Sequence, residues 1–353
     1  MKKTLVAIAA LASFGAYAQS SVKLGGVLDA GVATYSSQAG GKSLTSATGG
    51  GLFAPSNFNL SGSEDLGGGL KANFMLESGI SANNGAYANS NGGLFGRMAY
   101  AGLSGGFGSV NLGLQFDPAF VATLHTDPLG ATEYAAGVSQ WLNTVTLTGN
   151  TGASTAGIFD SNAVSYSTPK MNGFDATVLY SLGGVSGNSS ANSVTSFGAK
   201  YDGVKGLLIS VGALQTKGAT GSNGQNESSI GASYNMGAFT VAANYMEAKS
   251  TGLSTNTKRT STNFGGSYQI NGNLKVMAGY YDVENKTANA NGSLKTTTAM
   301  FDYSLSKQTG IYFGGQSAKN TAFVGGFLDA GGVGNSISGT TSTGFVAGLH
   351  KAF

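Results

Sequence analysis

Few residues in this chain could perform acid–base, nucleophilic or metal chemistry. Cysteine is absent, which excludes a thiolate nucleophile, a thiolate metal site and a disulfide framework. Two histidines, His125 and His350, are the only imidazoles. A Ser–His dyad or a metal cluster would have to use one of them. The acidic residues around His125 match no metal-ligand spacing. The sequence therefore predicts no enzyme, no metal site and no cofactor.

One long segment, residues 116–161, lacks the two-residue alternation of a strand and carries several acidic residues. We call this segment the third loop. It contains Asp117, Asp127 and Glu133 as well as His125. Loops longer than ~12–15 residues are usually functional or disordered. Length alone leaves two alternatives open: the segment folds inward and narrows a lumen, or it extends outward as a surface loop.

Composition limits the class of protein further. The chain has 353 residues, 58 of them Gly, and only 10% are charged. The glycines follow no G-x-y period, which excludes collagen. No concentrated basic patch is present, so we expect no nucleic-acid partner.

The N-terminus has the pattern of an export signal. Lys2 and Lys3 precede an apolar run, and Ala16-Tyr17-Ala18 supplies a small-x-small cleavage site. We predict a signal peptide over residues 1–18 and a single mature domain over residues 19–353. Without those two lysines the chain has 17 basic and 16 acidic residues, a net charge of about +1.

The elements that must position these residues are strands. Alternation with a period of two dominates after the signal, as in residues 70–77, where Leu70, Phe74 and Leu76 share one face and Lys71 and Glu77 the other. No later apolar run reaches the ~18 residues that a transmembrane helix needs. Sixteen such segments start near Val22, Asn57, Leu70, Phe95, Ser109, Asn162, Phe174, Ser196, Leu207, Ser228, Phe239, Ser261, Leu274, Leu294, Gly310 and Ser342.

The connections between these segments alternate between short turns and long Ser/Gly/Asn/Thr-rich loops. An even number of strands with this alternation is typical of a transmembrane β-barrel in the outer membrane of a Gram-negative bacterium. We therefore predict an all-β, sixteen-stranded antiparallel barrel. A secreted β-sandwich or solenoid is the alternative fold, but it would not explain the alternation of short and long connections.

The predicted inner face is polar, which favours a water-filled channel. Sixteen strands leave an aqueous lumen, whereas about eight are filled by side chains. The function predicted from this pattern is passive diffusion of small hydrophilic solutes and ions. The alternative is an adhesin or structural surface barrel whose long loops do the work. Either protein would contact outer-membrane lipid and lipopolysaccharide.

Several segments resemble one known family. GSEDLGGGLKA (62–72), LESG (76–79), LFGRMAYAGLSGGFG (94–108), QFDP (115–118) and the C-terminal strand closely resemble general porins of beta-proteobacteria. The resemblance implies a homotrimer of sixteen-stranded barrels, each with its third loop folded inward. It also implies that the terminal aromatic residue, Phe353, is recognised by the outer-membrane assembly machinery.

The chain departs from this family at the pore wall. Such porins often carry arginines there, but the matching positions are Asn57, Ser61 and Leu114, and the whole chain has only two arginines. A ring of fixed positive charge is one way for a pore to select anions. Its absence predicts weak charge selectivity.

With the third loop in the lumen, we expect its three acidic residues to face basic residues of the wall and to balance their charge. The predicted constriction consists of Lys71, Glu77, Arg97, Asp117, Asp127 and Glu133. Cation and anion permeabilities should then lie within roughly an order of magnitude, because ~1.4 kcal/mol of difference in barrier height already makes a factor of ten.

Overall fold

The computed structural model describes residues 21–38, 41–88, 93–134, 136–145, 157–250, 257–287, 290–323, 328 and 337–353. The predicted signal peptide lies outside these ranges. The described strands are β1 (Ser21–Tyr35), β2 (Leu44–Ala47), β3 (Asn57–Gly67), β4 (Leu70–Gly79), β5 (Met98–Gly105), β6 (Gly108–Phe116), β7 (Phe159–Ser167), β8 (Phe174–Ser181), β9 (Val194–Tyr201), β10 (Leu207–Lys217), β11 (Asn223–Met236), β12 (Phe239–Ser250), β13 (Thr257–Gln269), β14 (Leu274–Thr287), β15 (Ala290–Ser304), β16 (Thr309–Thr321) and β17 (Thr341–Ala352). The described helices are α1 (Pro118–Leu124) and α2 (Gly137–Val145), and neither is long and apolar enough to cross a membrane.

The strands close into a barrel because β1 pairs with both ends of the sheet. Its first half, Ser21–Val27, pairs with β3, and its second half, Val27–Tyr35, pairs with β17. Every other barrel strand pairs antiparallel with its neighbours in sequence. The four-residue β2 pairs with the end of β1 and was not predicted. Without it the described barrel has sixteen strands, which confirms the predicted fold class.

The predicted strand starts agree with the structure within a few residues, and the differences occur at the long-loop end. Strands β11 and β13 begin at Asn223 and Thr257, five and four residues before the predicted starts at Ser228 and Ser261. Strand β5 begins at Met98 rather than near Phe95. The strands extend beyond the apolar band, where their sequences no longer alternate between apolar and polar residues.

The two faces of the barrel differ as the alternation predicts. On β4, Phe74 lies over Gly62 of β3 on the outer face, since a Cβ atom built on Gly62 would come within 2.3 Å of the Phe74 ring. Asn73 points inward and donates a hydrogen bond to Ser104 Oγ at 2.8 Å. Aromatic pairs strengthen the outer face, including Phe239 with Tyr268, whose ring centroids are 4.2 Å apart. Amphipathic rings at strand ends are typical of the membrane interfaces.

Candidate functional site

The described part of the third loop, residues 116–134, 136–145 and 157–161, packs against inward-facing residues of β9, β12 and β14. Asp117 begins this path by capping α1: its Oδ1 accepts hydrogen bonds from Ala119 N and Phe120 N, at 2.8 and 3.0 Å. Ser196 Oγ of β9 donates to the same oxygen at 2.9 Å. Burial, and then the carboxylate of Asp160, raise the pKa of Asp117 well above its usual range. This side chain therefore fixes the helix to the wall.

A row of small residues on β9, β10 and β11 lets α1 come into backbone contact with the sheet. A Cβ atom on Gly198 would lie 2.2 Å from the Pro118 carbonyl oxygen, and one on Gly212 would lie 2.9 Å from Ala119 Cα. Glycine is thus required here by close approach rather than by a turn. Further along, Asn244 Nδ2 donates to the Thr126 carbonyl at 3.1 Å.

Asp127 holds the turn that follows α1. Its Oδ2 accepts from Leu129 N and Ala131 N at 3.0 and 2.8 Å, and Tyr281 of β14 donates its hydroxyl to Oδ1 at 3.2 Å. Burial raises the pKa of Asp127 to about 6. Like Asp117, this carboxyl is buried and hydrogen-bonded, and it does not face open space.

The second helix fixes the remainder of the described loop. Trp141 is fully buried, and its ring meets Phe120 of α1 edge-on at 5.3 Å. Arg259 of β13 donates from Nη1 to the Asn143 carbonyl at 2.8 Å, and Gln225 of β11 donates from Nε2 to the Val145 carbonyl at 2.9 Å. These side-chain donors satisfy carbonyl groups at the C-terminal end of α2, which otherwise lack partners within the helix.

Residues 51–56 of the first loop (residues 36–56) also lie inside the barrel, which the sequence did not reveal. Asp29 of β1 holds it: Oδ2 accepts from Phe53 N and Ala54 N at 2.7 and 2.8 Å, and Oδ1 accepts from the Tyr312 hydroxyl at 2.6 Å. The two loops meet where Tyr134 N donates to the Leu52 carbonyl at 2.8 Å. Together the described parts of both loops pack along the inner wall, from Ser196 of β9 to Tyr312 of β16.

This cover explains apolar side chains on an inner face that was predicted to be polar. One apolar cluster joins both loops to the wall and consists of Ala33, Tyr35, Leu52, Leu129, Tyr134, Ala136, Met277, Tyr281, Val283, Leu294, Met300, Tyr312, Ala318, Phe323, Leu328 and Val346. Full burial of such a side chain stabilises the packing by ~1.5–3 kcal/mol. The loops are thereby anchored to one side of the lumen.

Open space remains beside α1, along the wall that β5 to β9 form. It forms a cavity of about 220 Å³ whose lining residues are Met98, Tyr100, Asn111, Gln115, Phe116, Pro118, Val121, Ala122, His125, Ser165, Ser167, Asp175, Thr177, Gly198, Ala199 and Lys200. We call this space the α1 cavity. Most of the side chains that reach it from the strands are polar, as a wetted passage requires.

Four ionisable residues line the α1 cavity: Tyr100, His125, Asp175 and Lys200. Lys200 Nζ lies 3.9 Å from Asp175 Oδ2, a loose pair with both side chains about one-third exposed. His125 on the third loop faces the same space. Its enclosure by protein, and then the Lys200 ammonium, lower the pKa of His125, whereas Asp175 acts in the opposite direction. We therefore expect His125 to be neutral at pH 7. Asp175 and Lys200 belong to no motif that predicts a pore charge, although alternation places Asp175 on the polar face of β8.

The predicted constriction is only partly assembled. Arg97 Nε lies 2.6 Å from Glu77 Oε1, and its guanidinium stacks 5.1 Å from the Phe159 ring. This pair is nearly buried and neutral overall. Glu133 is half-buried. Lys71 lies elsewhere, opposite Asp65 beside the short turn that joins β3 to β4.

Three predicted residue roles need correction. Asp117 and Asp127 do not face the lumen, because both are buried and their carboxylates accept hydrogen bonds from nearby backbone amides and from a hydroxyl of the wall, Ser196 or Tyr281. Leu114 lies opposite Ala99 and alternates with Val110 and Leu112 on the outer face, so it cannot line the pore. Asn57 and Ser61 do point inward, since they share the face of β3 that carries Asn59 opposite Glu77. The structure thus leaves two of the three family arginine positions on the pore wall.

A closed sixteen-stranded barrel with a polar opening beside an inward loop defines a diffusion channel, and comparisons with known proteins agree. A family model described as Gram-negative porin matches residues 4–322. The chain is 32% identical over 361 residues to outer membrane porin protein 32 of Delftia acidovorans, covering 100% of both chains. It is 29% identical to an outer membrane porin protein of Bordetella pertussis, covering 92% of this chain and 96% of that protein.

A solved structure shares the fold closely. The structure titled anion-selective porin from Comamonas acidovorans superposes with a TM-score of 0.81 at 30% identity, covering 95% of this chain and 100% of that chain. The chain belongs to the Gram-negative porin family. It is an outer-membrane channel protein for passive diffusion, not an enzyme, which confirms the predicted function over the adhesin alternative.

Proposed function

We propose that solutes cross the barrel through the α1 cavity, with a weak preference for anions. The observation that carries this proposal is a difference in position. Asp117 and Asp127 are buried and hydrogen-bonded, whereas Lys200 lines the α1 cavity. The loop therefore supplies less negative charge than its sequence predicts. The related porin that is titled anion-selective supports the same direction.

The inward charges left exposed or half-exposed on the described strands support a small preference rather than a strong one. They are Lys23, Lys71, Lys200 and Lys275 against Asp65, Asp175 and Asp302. Four cations and three anions nearly cancel. Because the arginine positions of the family hold Asn57 and Ser61, no ring of positive charge reinforces them. Anion permeability should exceed cation permeability by less than about tenfold, a difference of ~1.4 kcal/mol in barrier height.

Zero-current potentials across a salt gradient test this proposal. Lys200→Gln should move the potential toward cation selectivity, because it leaves Asp175 as the ionised residue of the α1 cavity. The matched control is Lys205→Gln, which removes the same charge from an exposed turn between β9 and β10. Equal shifts in both variants, or a near-ideal anion potential in the unaltered protein, would contradict the proposal.

We also propose that the mature chain starts after residue 18 and forms a homotrimer whose assembly depends on the outer-membrane insertion machinery. The closed barrel, the family and the C-terminal aromatic residue support these expectations. Phe353 ends the strand that closes the barrel: its N–H donates to the Gly26 carbonyl at 3.1 Å, and Gly26 N donates back at 3.2 Å.

A further inference from the structure

Lysines are concentrated on the outer face of the barrel at its long-loop end. On β12 the outward positions continue from Tyr245 to Glu247 and Lys249, past the last aromatic ring. The same face of the neighbouring strands completes a set that we call the lysine belt. Its members are Lys249, Lys258, Lys286, Lys295 and Lys319, one on each strand from β12 to β16.

The strand register sets these lysines directly opposite one another. Lys249 pairs with Lys258, and Lys258 pairs with Lys286, which gives three ammonium groups in one row across β12, β13 and β14. Lys295 pairs with Lys319 across β15 and β16. Like charges directly opposite on one face of a sheet destabilise the pairing unless something neutralises them. Two independent rows of this kind indicate a surface that meets negative charge.

Acidic neighbours neutralise the belt only in part. Glu247 contacts Lys249 and Lys258 at 2.5 and 2.6 Å. Elsewhere Lys286 pairs with Glu284 at 2.9 Å and Lys295 with Asp282 at 3.0 Å. Five lysines against these three carboxylates leave a net charge of +2. Lys319 is exposed and has no ion pair among the described residues.

The belt lies on the long-loop side of the outward aromatic rings, toward the lipid headgroups. On β12 Lys249 lies four residues beyond Tyr245, and on β14 Lys286 lies six residues beyond Tyr280, and interfacial aromatic rings mark the edge of the apolar band. Long loops of such barrels are extracellular, so the headgroups are those of the outer leaflet. With strands ~4.8 Å apart, the belt spans ~19 Å of membrane surface. The outward positions of β4 to β9 carry no lysine or arginine, so the basic surface occupies one side of the barrel.

We propose that the lysine belt binds the phosphate groups of lipopolysaccharide, the phosphorylated glycolipid of the outer leaflet. Two neighbouring ammonium groups of one row can bind the same phosphate through charge-assisted hydrogen bonds, which are stronger than hydrogen bonds between neutral groups. The interfacial aromatic residues below contact the acyl chains. This inference rests on the outer-membrane location and is independent of the route through the lumen.

Binding of labelled lipopolysaccharide to the folded protein in detergent tests the proposal. Lys258→Gln combined with Lys295→Gln removes one ammonium from each row and should weaken binding about tenfold or more. The matched control, Lys205→Gln with Lys307→Gln, removes two charges from turns at the opposite end and should change nothing. Lipopolysaccharide with the same acyl chains but without phosphates should bind the unaltered protein as weakly as intact lipopolysaccharide binds the belt variant.

Equal binding of the belt and control variants, or equal binding of dephosphorylated lipopolysaccharide, would overturn the proposal. Lys319→Gln provides a second variant that breaks no described ion pair, so its expected loss of affinity cannot be attributed to misfolding. Conductance of the belt variants in planar bilayers should remain that of the unaltered protein. A changed conductance with unchanged lipid binding would count against the belt and would leave the pore proposal to be judged separately.

Discussion

Asp127 links the position of the third loop to pH. Its pKa of about 6 in the folded protein lies above the ordinary value of 3.8. The folded state therefore favours the protonated carboxyl. The stabilisation is fully present below about pH 4 and is lost as pH rises through about 6, by on the order of 3 kcal/mol.

Hydrogen exchange at Leu129 and Ala131, whose amides bind this carboxyl, measures that effect. After correction for intrinsic rates, exchange should be faster at about pH 8 than at about pH 4, because the ionised carboxylate is penalised by burial. Asp127→Asn keeps an oxygen acceptor but removes the titration, so its corrected rates should depend less on pH. The same pH dependence in both proteins would show that another group controls the loop.

Single residues were the hardest feature to predict. Asp117 and Asp127 have the residue type and loop position of pore charges, yet backbone amides and a wall tyrosine use their carboxylates as caps. Asp175 and Lys200 lie next to short turns and belong to no motif, so nothing in the sequence distinguishes them from other charged residues of the strands. Alternation predicts the face on which a charge lies but does not predict which sector of the lumen the loops leave open.

At the scale of elements, contact between α1 and the wall depends on glycines of the sheet. Gly198→Val should prevent α1 from docking, because the added side chain meets the Pro118 carbonyl oxygen. Overpacking of this kind costs about 1–3 kcal/mol. We expect the loop to shift and single-channel conductance to rise, while the barrel keeps its resistance to detergent.

Gly272→Val is the control for that variant, because nothing lies within 4 Å of the position where its Cβ would be. Its conductance should match that of the unaltered protein. A Gly198→Val channel with unchanged conductance would mean that the helix does not limit flow.

The sequence predicted the strands themselves well, since two-residue alternation between tight turns is a local signal. The docking of loops onto glycines and the inward path of residues 51–56 depend on tertiary contacts that have no such signal.

At the scale of the whole molecule, the last strand completes the closed sheet. Deleting Phe353 should lower the amount of folded protein in the outer membrane without reducing export, because the backbone bonds to Gly26 and the terminal aromatic are lost together. Phe353→Tyr keeps the aromatic ring and backbone and should assemble normally. Heat-modifiable protein in isolated outer membranes gives the readout, and normal levels after the deletion would contradict the expectation.

The number of strands, the closed barrel and the channel function were all predictable because they depend on patterns repeated along the whole chain. The position of the open space within the lumen could not be predicted, because it depends on which strands the third loop packs against. Met277 and Met300 occupy inward-facing positions of β14 and β15, and they are buried in the same apolar cluster as Leu129 and Tyr134 of the third loop.

The position of the passage can be measured directly, since the chain has no native cysteine. Thr177→Cys places a thiol in the α1 cavity, and Asn263→Cys places one on the wall covered by the third loop, where Asn263 is 2% exposed. A small charged thiol reagent added to single channels should react at position 177 and lower the conductance at once, and should leave position 263 unmodified. Rapid block through position 263, with no effect at position 177, would contradict passage through the α1 cavity.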